Sequence, residues 1–440
     1  ESGVAESGDV TASGCRTLLK KERIYEDPYI DGTSCVSSAT WRERIYFYDP
    51  KGRLVQTVET GSDGWTSRYS VKYDFTGNVL ASAERHSDGT GEDHALTTYE
   101  YDSRGRVLTC GRRVNGQELA TLVYSYDDLG RMAAKTVQGR VTEEYSYNMH
   151  GWRIGQQVTL YGTPQVFEQE LRHYDPQSES TQPRYGGYVS ESEDAHYGRA
   201  ARVTAYGYDR IGRMTEALRT DSTSESASYD LNGNVLTLNG LSFSHQGNRM
   251  TGAQDVSADV DAQFTWWSDG CMKHDSGKNL HFCYNFSNLP SALFVGGTGG
   301  TPAARVVYLA DGTKVSSLGS DAAGLVYRGS FVYRKTADGA QSVESVAHDE
   351  GRMLAVQGAS GTEFIDTWHV RDYLGSVRAV YDITQEAEDV TDVASVILEQ
   401  NDYYAFGGRI EDPTQPIDQD NRYRFNGKEQ LKFDGIGLDP

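Results

Sequence analysis

The sequence predicts an all-β protein in which short antiparallel β-hairpins follow one another in a single long, curved ribbon. Glycine supplies 47 of the 440 residues. Because glycine costs about 1 kcal/mol at an interior helix position, this content disfavours a helical bundle. Tyrosine occurs 29 times, against 13 phenylalanines and 10 prolines, and a disordered chain would not be this aromatic. The third observation is an internal repeat built on tyrosine, aspartate and glycine, and a fixed repeat indicates a repeat architecture.

The repeat reads Tyr-Asp-x-x-Gly-Arg/Asn and is followed by apolar residues. Aspartate at the first turn position accepts hydrogen bonds from backbone amides two residues on, and glycine three residues later tolerates positive φ. Together they predict a type I turn closed by a glycine bulge, a common hairpin connection. Clear copies start at Tyr48, Tyr73, Tyr101, Tyr126, Tyr147, Tyr208 and Tyr229, and weaker ones at Trp267, Tyr308 and His348. The positions assigned to turn structure are Tyr48, Asp49, Gly52, Tyr73, Asp74, Gly77, Tyr101, Asp102, Gly105, Tyr126, Asp127, Gly130, Tyr208, Asp209, Gly212, Tyr229, Asp230 and Gly233.

The strands between the turns are predicted from alternating tyrosines. Tyr46 and Tyr48 share one strand face, as do Tyr99 and Tyr101. A lone hairpin is marginally stable, so neighbouring hairpins are expected to stack with their tyrosines side by side. A tyrosine ring can pack while its hydroxyl stays in water, and hydrophobic residues make up only 37% of the chain. We therefore expect a sheet that separates two aqueous spaces rather than a dense core.

Charge and cysteine content disfavour several classes of protein. The 42 basic and 63 acidic residues give a net charge of −21. This charge disfavours nucleic acid as a partner, because binding nucleic acid needs clustered basic residues. It also disfavours binding to anionic membrane surfaces. No apolar run approaches the ~18 residues of a spanning helix. The start at Glu1, without a signal peptide, is interpreted as a mature or excised chain. Five cysteines are too few for a disulfide scaffold. A single bridge between Cys15 and Cys35 is the one disulfide that we consider.

Three ordered motifs carry a family resemblance. They are WHVRDYLGSVRAVYD at 368–382, NDYYAFGGRI at 401–410 and NRYRFNGKEQ at 421–430. With the repeats over residues 44–360, they resemble the RHS/YD-repeat family and its RHS-associated core. The segment YNFSNLPSALF at 284–294, followed by YLADGTKV at 308–315, is similar to the version found in Bacteroidetes-type members. The residues that match the core motifs are Arg371, Asp372, Gly375, Ser376, Arg378, Asn426, Gly427 and Lys428.

The resemblance implies a spiral antiparallel sheet wound into a hollow shell, which is incomplete if 440 residues are too few to close it. In bacterial members the shell encloses and delivers a C-terminal toxin domain, and the Tc-toxin B/C shells and the teneurins share its architecture. We therefore expect a polymorphic-toxin carrier that is secreted or lies on the bacterial cell surface, with its cargo absent from this chain. The expected partner is that C-terminal toxin or a second chain that completes the shell. The expected segments are a leader or plug at 1–43, the repeat shell at 44–365 and a core region at 366–440 that is truncated at its end.

Two other architectures or roles remain as alternatives. One is a cell-surface adhesion or carbohydrate-binding protein built on the same spiral, with a cell-surface glycan as partner. Trp266 and Trp267 are its best aromatic candidates, although one of two neighbouring strand residues faces inward. The other is a β-propeller, but the repeat spacing of 21 to 28 residues is short for a ~40-residue blade.

The only catalytic candidates are two aspartates near the C-terminus. Asp434 and Asp439 lie in DGIGLDP, which resembles the self-cleavage motif of some family members. An aspartyl mechanism needs two carboxylates that share a proton, so the pair works only if the fold brings both together. The alternative is a terminal loop with solvated acids. We expect no other catalytic group.

Neither a metal nor another cofactor is expected. Cys271, His274, His281 and Cys283 resemble a zinc set. However, a hairpin with its turn at 276–279 places His274 opposite His281 and turns Cys271 to the other face. A second polar segment, residues 383–400, holds five acids and no Lys or Arg. It is interpreted as a solvated insertion, with a docking site for a basic partner as the alternative.

Overall fold

The computed structural model describes residues 20–30, 35–36, 39–179, 181–255, 260–358, 361–386, 389–412, 414–418, 421–433 and 436–438. Short 3₁₀ helices lie at Val393–Val396 and Phe425–Gly427. The strands of these described residues are β1 (Lys21–Tyr25), β2 (Tyr29–Ile30), β3 (Cys35–Val36), β4 (Trp41–Tyr48), β5 (Leu54–Gly61), β6 (Thr66–Tyr73), β7 (Val79–Ser87), β8 (Glu92–Tyr101), β9 (Val107–Val114), β10 (Gln117–Glu118), β11 (Leu122–Tyr126), β12 (Met132–Val137), β13 (Val141–Tyr147), β14 (Arg153–Leu160), β15 (Thr163–Arg172), β16 (Glu191–His196), β17 (Arg202–Tyr208), β18 (Met214–Arg219), β19 (Glu225–Tyr229), β20 (Val235–Leu238), β21 (Leu241–Gln246), β22 (Arg249–Asp255), β23 (Val260–Trp266), β24 (Met272–Asp275), β25 (Leu280–Tyr284), β26 (Pro290–Val295), β27 (Ala304–Tyr308), β28 (Lys314–Gly319), β29 (Gly324–Arg328), β30 (Phe331–Lys335), β31 (Gln341–His348), β32 (Gly351–Gly358), β33 (Gly361–Arg371), β34 (Val377–Asp382), β35 (Ile397–Gln400), β36 (Asp402–Tyr403), β37 (Arg409–Ile410), β38 (Leu431–Phe433) and β39 (Ile436–Leu438).

Strands that follow one another in the chain pair side by side and antiparallel. From β4 to β9 each strand pairs with the next, and β1 pairs with β4. The same pattern holds from β12 to β19. Within the described ranges, 33 strands belong to one antiparallel sheet. The predicted all-β ribbon of hairpins is therefore confirmed.

The register shifts at the tyrosine that opens a repeat turn. In the first copy, Phe47 pairs with Gln56 while Tyr48 pairs with Leu54, so the return strand holds one extra residue. Such an extra residue marks a β-bulge, which increases the local twist of the strands. The same shift occurs at Tyr73, Tyr101, Tyr147, Tyr208 and Tyr229.

The chain divides into two compact units, and the first contains Glu1–Tyr124 and Phe282–Asp366. Within it, the Trp65 indole packs on the Tyr333 ring with centroids 5.1 Å apart. This contact borders an apolar cluster formed by Val114, Val326, Phe331, Tyr333, Val346, Met353 and Phe364. The division into units does not test the three segments predicted from the sequence, which stay a prediction.

The second unit contains Ser125–His281 and Thr367–Pro440. Its largest buried side chains include Phe167, Trp368 and Tyr381. The Trp368 indole N–H donates to Glu143 Oε2 at 2.9 Å, and the Tyr381 hydroxyl donates to the Val166 carbonyl at 3.3 Å. The chain that carries the first core motif is thus bonded into the repeat strands of this unit.

Candidate functional site

The clear repeat turns are closed by their own aspartate, whose place Asn148 takes in the copy at Tyr147. In the first copy, the Asp49 N–H donates to the Arg53 carbonyl and the Gly52 N–H to the Asp49 carbonyl, both at 2.9 Å. The Asp49 carboxylate accepts from the Arg53 backbone N–H at 2.9 Å and from Arg53 Nε at 2.7 Å. Burial alone would raise the pKa of the Asp49 carboxyl, but these bonds and the Arg53 charge lower it. Gly52 has a φ of 81°, a conformation that costs a side-chain-bearing residue about 1–2 kcal/mol.

The tyrosine hydroxyls link one repeat to the preceding part of the chain. The Tyr229 hydroxyl donates to the Met214 carbonyl at 2.6 Å, and the Tyr73 hydroxyl to the Leu54 carbonyl at 3.0 Å. Each of these two hydroxyls finds a backbone acceptor near the preceding bulge, and the Tyr73 bond lies at an exposed position. Equivalent bonds start from Tyr101, Tyr147 and Tyr208.

The arginine that follows the turn glycine links two successive turns, a role that the sequence analysis did not predict. Arg213 Nε binds its own Asp209 at 2.6 Å, while Nη1 donates to the Asp230 carbonyl of the next turn at 2.8 Å. Its guanidinium also lies 4.7 Å from the centre of the Tyr229 ring. Arg53 and Arg131 reach the following turn in the same way. The recurrence of arginine at this position was the available signal.

The first core motif forms a turn of the same kind. The Asp372 N–H donates to the Ser376 carbonyl and the Gly375 N–H to the Asp372 carbonyl, both at 3.0 Å. Gly375 has a φ of 89°. Arg371, which precedes the turn, accepts a hydrogen bond at its carbonyl from Gln156 Nε2 at 3.0 Å.

The third core motif docks on this turn. The Val377 N–H donates to the Arg424 carbonyl at 2.8 Å, and the Asn426 N–H donates to Ser376 Oγ at 3.1 Å. Gly427 has a φ of 63°, and a Cβ there would lie 3.4 Å from the Gly375 carbonyl oxygen. The two turns therefore meet backbone to backbone. Lys428, the last predicted motif residue, is exposed.

Glu399 binds three polar side chains at the centre of this contact. Its carboxylate accepts from Arg424 Nε at 2.6 Å, Asn421 Nδ2 at 2.7 Å and Asn401 Nδ2 at 2.8 Å. Glu399 is fully buried, so the interpretation of residues 383–400 as a solvated insertion was wrong at this position. We call Glu399, Asn401, Asn421 and Arg424 the Glu399 network.

Arg378 forms a second buried centre beside the Glu399 network. Its Nε donates to the Asn401 carbonyl and Nη2 to Asp402 Oδ1, both at 3.0 Å. Nη1 lies 3.3 Å from Asp194 Oδ1 and 3.9 Å from Asp372 Oδ2. Burial alone would lower the pKa of the Arg378 guanidinium, but the Asp194 and Asp372 charges raise it. Burial, with the Asp194 charge beside it, raises the pKa of the Asp372 carboxyl.

A small cavity of about 110 Å³ adjoins Arg378. Tyr206, Tyr373 and Tyr403 line it together with Asp194, and burial raises the pKa of Tyr206 to about 12. Three aspartates, Asp194, Asp372 and Asp402, face the Arg378 guanidinium. This geometry suits fastening the three core motifs to the repeat sheet.

His196 lies close to the same centre. It is buried, and its ring packs 5.2 Å from the Phe167 ring. Burial, followed by the Arg378 charge, lowers the pKa of His196 to about 3. Asp402 Oδ1 is only 3.4 Å from His196 Nε2, but Arg202 and Arg378 already pair with that carboxylate. His196 is therefore neutral in the folded chain.

Several predicted positions fall outside the described residues. Asp434 and Asp439, the candidates for self-cleavage, are among them, so the pairing of their carboxylates stays a prediction. Cys15 also lies outside, while Cys35 is exposed. The Cys15–Cys35 bridge stays a prediction as well.

The histidine hairpin pairs as expected from the sequence. His274 lies opposite His281 in the β24–β25 register, and their rings stack with centroids 4.1 Å apart. Burial, then the charges of His274 and Lys273, lower the pKa of His281. In the part of the chain that the structure describes, no three His, Cys, Asp or Glu side chains gather as metal ligands.

The tryptophan pair is half-buried rather than exposed. The Trp266 indole N–H donates to the Met250 carbonyl at 2.6 Å, the same type of link that the tyrosine hydroxyls make. Lys273 lies 4.4 Å from the centre of the Trp267 ring. Among the described residues, no helix is both long and apolar enough to cross a membrane.

Comparisons with known proteins agree with the repeat architecture. No protein-family profile matches the chain. Teneurin-3 of Mus musculus is 23% identical over 395 residues, which cover 83% of this chain and 13% of the teneurin. Teneurin-4 of Homo sapiens is 22% identical over 361 residues, which cover 76% of this chain and 12% of the teneurin. The crystal structure of TcdB2-TccC3 matches 89% of this chain and 25% of that chain, with a TM-score of 0.50 and 14% identity.

The hairpin ribbon, the recurring Tyr-Asp turns and these similarities define the class of protein. The chain is an RHS/YD-repeat protein. It spans 12–13% of the length of the teneurins that it matches. Its likeness to the TcdB2-TccC3 structure is a likeness of fold.

Proposed function

We propose that this chain forms the wall of an RHS-type shell that encloses and delivers a C-terminal toxin domain. The observation that carries the proposal is the docking of segment 421–430 on the turn at 372–376. Buried ion pairs of Glu399 and Arg378 hold that contact in place. A domain attached behind such a segment would be held at one place on the wall.

The repeat turns support a wall rather than a compact core. Tyrosine hydroxyls and turn arginines join neighbouring repeats through backbone carbonyls, so stability is distributed along the ribbon. The likeness of fold to the TcdB2-TccC3 structure supports a wound sheet. In this proposal the protein is secreted or lies on the bacterial cell surface, and its partner is a C-terminal toxin or a second chain that completes the shell.

The test is protease protection of the domain encoded after codon 440. The full reading frame is expressed, and the domain's cleavage by a broad-specificity protease is followed on gels with and without denaturant. We expect protection in the native protein and rapid cleavage of the domain expressed alone. A frame that ends after the core, or a domain that is cleaved equally fast in both forms, contradicts the proposal.

Adhesion or carbohydrate binding is the second candidate function. The repeats, which make up most of the 83% of the chain that is similar to Teneurin-3, are shared by both proposed roles, so this role is argued from aromatic side chains instead. Trp266 and Trp267 are its aromatic candidates: the Trp266 N–H is bonded to the Met250 carbonyl, and Lys273 lies 4.4 Å from the centre of the Trp267 ring. A glycan array probed with wild type and Trp267→Ala tests this role. Reproducible binding that the variant loses supports it, and an array without binding opposes it.

A further inference from the structure

The second and third core motifs enclose a cavity of about 590 Å³. Its described lining comes from residues between 403 and 411, in the hairpin of β36 and β37, and from residues between 424 and 430 of the third motif. The turn of that hairpin is closed by the Tyr404 N–H, which donates to the Gly408 carbonyl at 2.7 Å. We call this space the motif cavity. Its volume lies within the ~300–1,000 Å³ of small-molecule pockets, so it has room for a ligand.

The wall of the motif cavity is held in place by contacts within the chain. Gly407 has a φ of 103°, and a Cβ there would overlap the Phe425 ring. Only glycine therefore lets the hairpin rest on that ring. The Phe406 N–H donates to Glu225 Oε2 of β19 at 3.2 Å, which ties the same turn to the repeat strands. A site that is formed in advance loses less entropy when it binds.

Three aromatic rings line the motif cavity, those of Tyr403, Phe406 and Phe425. The Tyr403 and Phe425 rings pack together with centroids 6.0 Å apart, and Phe406 is 36% exposed. The face of an aromatic ring carries partial negative charge, so it attracts the weakly positive C–H groups on one face of a sugar ring. The aromatic lining therefore suits a ligand that has both an apolar face and polar edges.

Two cations of the motif cavity have no acid beside them. Arg409 and Lys428 both line it, and among the described residues no carboxylate pairs with either side chain. Arg409 Nε donates to the neutral Asn401 Oδ1 at 2.7 Å, and its Nη2 has no hydrogen-bond partner. Because donors inside a protein normally have acceptors, this guanidinium is suited to an anionic group brought by a ligand.

Two further cavities of the same unit differ in this respect. They measure about 110 and about 700 Å³, and every arginine in their described lining pairs with an aspartate. These arginines are Arg219 and Arg378 in the smaller cavity and Arg199 and Arg202 in the larger one. On a chain with a net charge of −21, cations without a neighbouring acid single out the motif cavity as the place for an anion.

Glu411 narrows the class of anion. It is exposed and lines the same cavity, so it would repel a compact anion such as inorganic phosphate. A sugar would instead donate hydroxyl hydrogen bonds to its carboxylate. We propose that the motif cavity binds an acidic sugar of the hexuronic acid type. The sugar carboxylate pairs with Arg409 and Lys428, while the sugar ring packs on Phe406.

Titration of the purified chain with sodium glucuronate, followed by ligand-observed NMR, tests the site. We expect a dissociation constant on the order of millimolar, and about tenfold weaker binding of glucose, which lacks the carboxylate. Arg409→Gln should weaken glucuronate binding about tenfold. Lys428→Gln alters an exposed side chain and should weaken it as well, so the test does not depend on the folding of the first variant. The matched control, Arg210→Gln, changes an exposed arginine of a repeat turn and should bind like wild type.

Three results would overturn the proposal. They are a wild type that does not bind glucuronate, binding that Arg409→Gln and Lys428→Gln both retain, and inorganic phosphate that displaces glucuronate at equal concentration. The proposal rests on carbohydrate binding as the function, but it places that function away from Trp266 and Trp267. A glycan array whose signal is lost in Trp267→Ala, without glucuronate binding, would remove this site and leave carbohydrate binding in place.

Discussion

The fastening of the third core motif depends on a single buried carboxylate, so Glu399→Gln tests it directly. The substitution keeps the shape of the side chain, removes the charge that faces Arg424, and turns one of three acceptor contacts into a donor. Neutralising one partner of a fully buried pair costs about 3–5 kcal/mol. The Arg424 side chain retains 13% exposure, so water can partly solvate it. We therefore expect a loss of about 2–3 kcal/mol.

Amide hydrogen exchange of segment 421–430 is the suitable assay, because two units need not unfold in one transition. The reporters are the Val377 N–H, bonded to the Arg424 carbonyl, and the Gln430 N–H, bonded to the Arg422 carbonyl. A loss of 2–3 kcal/mol in the local opening equilibrium corresponds to about 30- to 160-fold faster exchange. The acceleration should be confined to this segment and the turn on which it docks.

Glu386→Gln is the matched control. Glu386 pairs with Arg140 but is 63% exposed, and exposed pairs contribute about 0–1 kcal/mol. Exchange in segment 421–430 should not change in this control. Wild-type exchange rates there in Glu399→Gln would show that the Glu399 network does not fasten the core, and the toxin-carrier proposal would lose the observation that carries it.

Three further changes test the repeats and the histidine. Tyr229→Phe removes the bond to the Met214 carbonyl and should cost about 0.5–1.5 kcal/mol in urea unfolding; an unchanged midpoint would contradict the link. Gly233→Ala should cost about 1–2 kcal/mol because φ is +91° in open space, whereas Gly91→Ala, also in open space, should be neutral or stabilising; equal effects on melting temperature would refute the turn argument. His196 has its pKa lowered by burial to about 3, from an ordinary 6.5, so below about pH 6.5 the unfolded chain binds a proton that the folded chain does not. From about pH 6.5 down to about pH 5 this group alone should therefore lower stability by about 1.4 kcal/mol per pH unit; His196→Gln should make the slope in urea unfolding shallower by that amount, and a slope equal to that of wild type would refute the assignment.

The repeat turns could be predicted from the sequence because their signals are local. The hydrogen-bond partners of Asp49 lie within four residues of it, and Gly52 lies in the same turn. The spacing of aspartate and glycine in the sequence therefore indicates both the turn hydrogen bonds and the positive φ of the glycine. The role of Arg213 was missed because its second partner belongs to the next repeat, and a single copy of the motif does not show it. The sequence shows that arginine recurs at this position, but it does not show that the guanidinium binds a carbonyl of the next turn.

The Glu399 network could not be predicted, because composition does not tell which acid is buried. Glu399 is the last of five acids in segment 383–400, which holds no Lys or Arg, and such a composition indicates a solvated stretch. Its partner Arg424 is 25 residues away. The ordered core motifs marked the right part of the chain, but pairing within it depends on contacts that only the folded sheet brings together.

The two kinds of polar contact distribute stability differently. Each repeat link contributes on the order of 1 kcal/mol, and neighbouring links add, so losing one weakens the ribbon locally and leaves the next repeats paired. The core concentrates its contacts on Glu399 and Arg378, so one substitution there opens the end of the chain while the repeats persist. The proposed toxin carrier would use this combination, because its wall would stay closed while segment 421–430 held a domain at one place. It follows that substitutions in repeat tyrosines should lower stability before they affect the docking of segment 421–430, whereas Glu399→Gln should do the reverse.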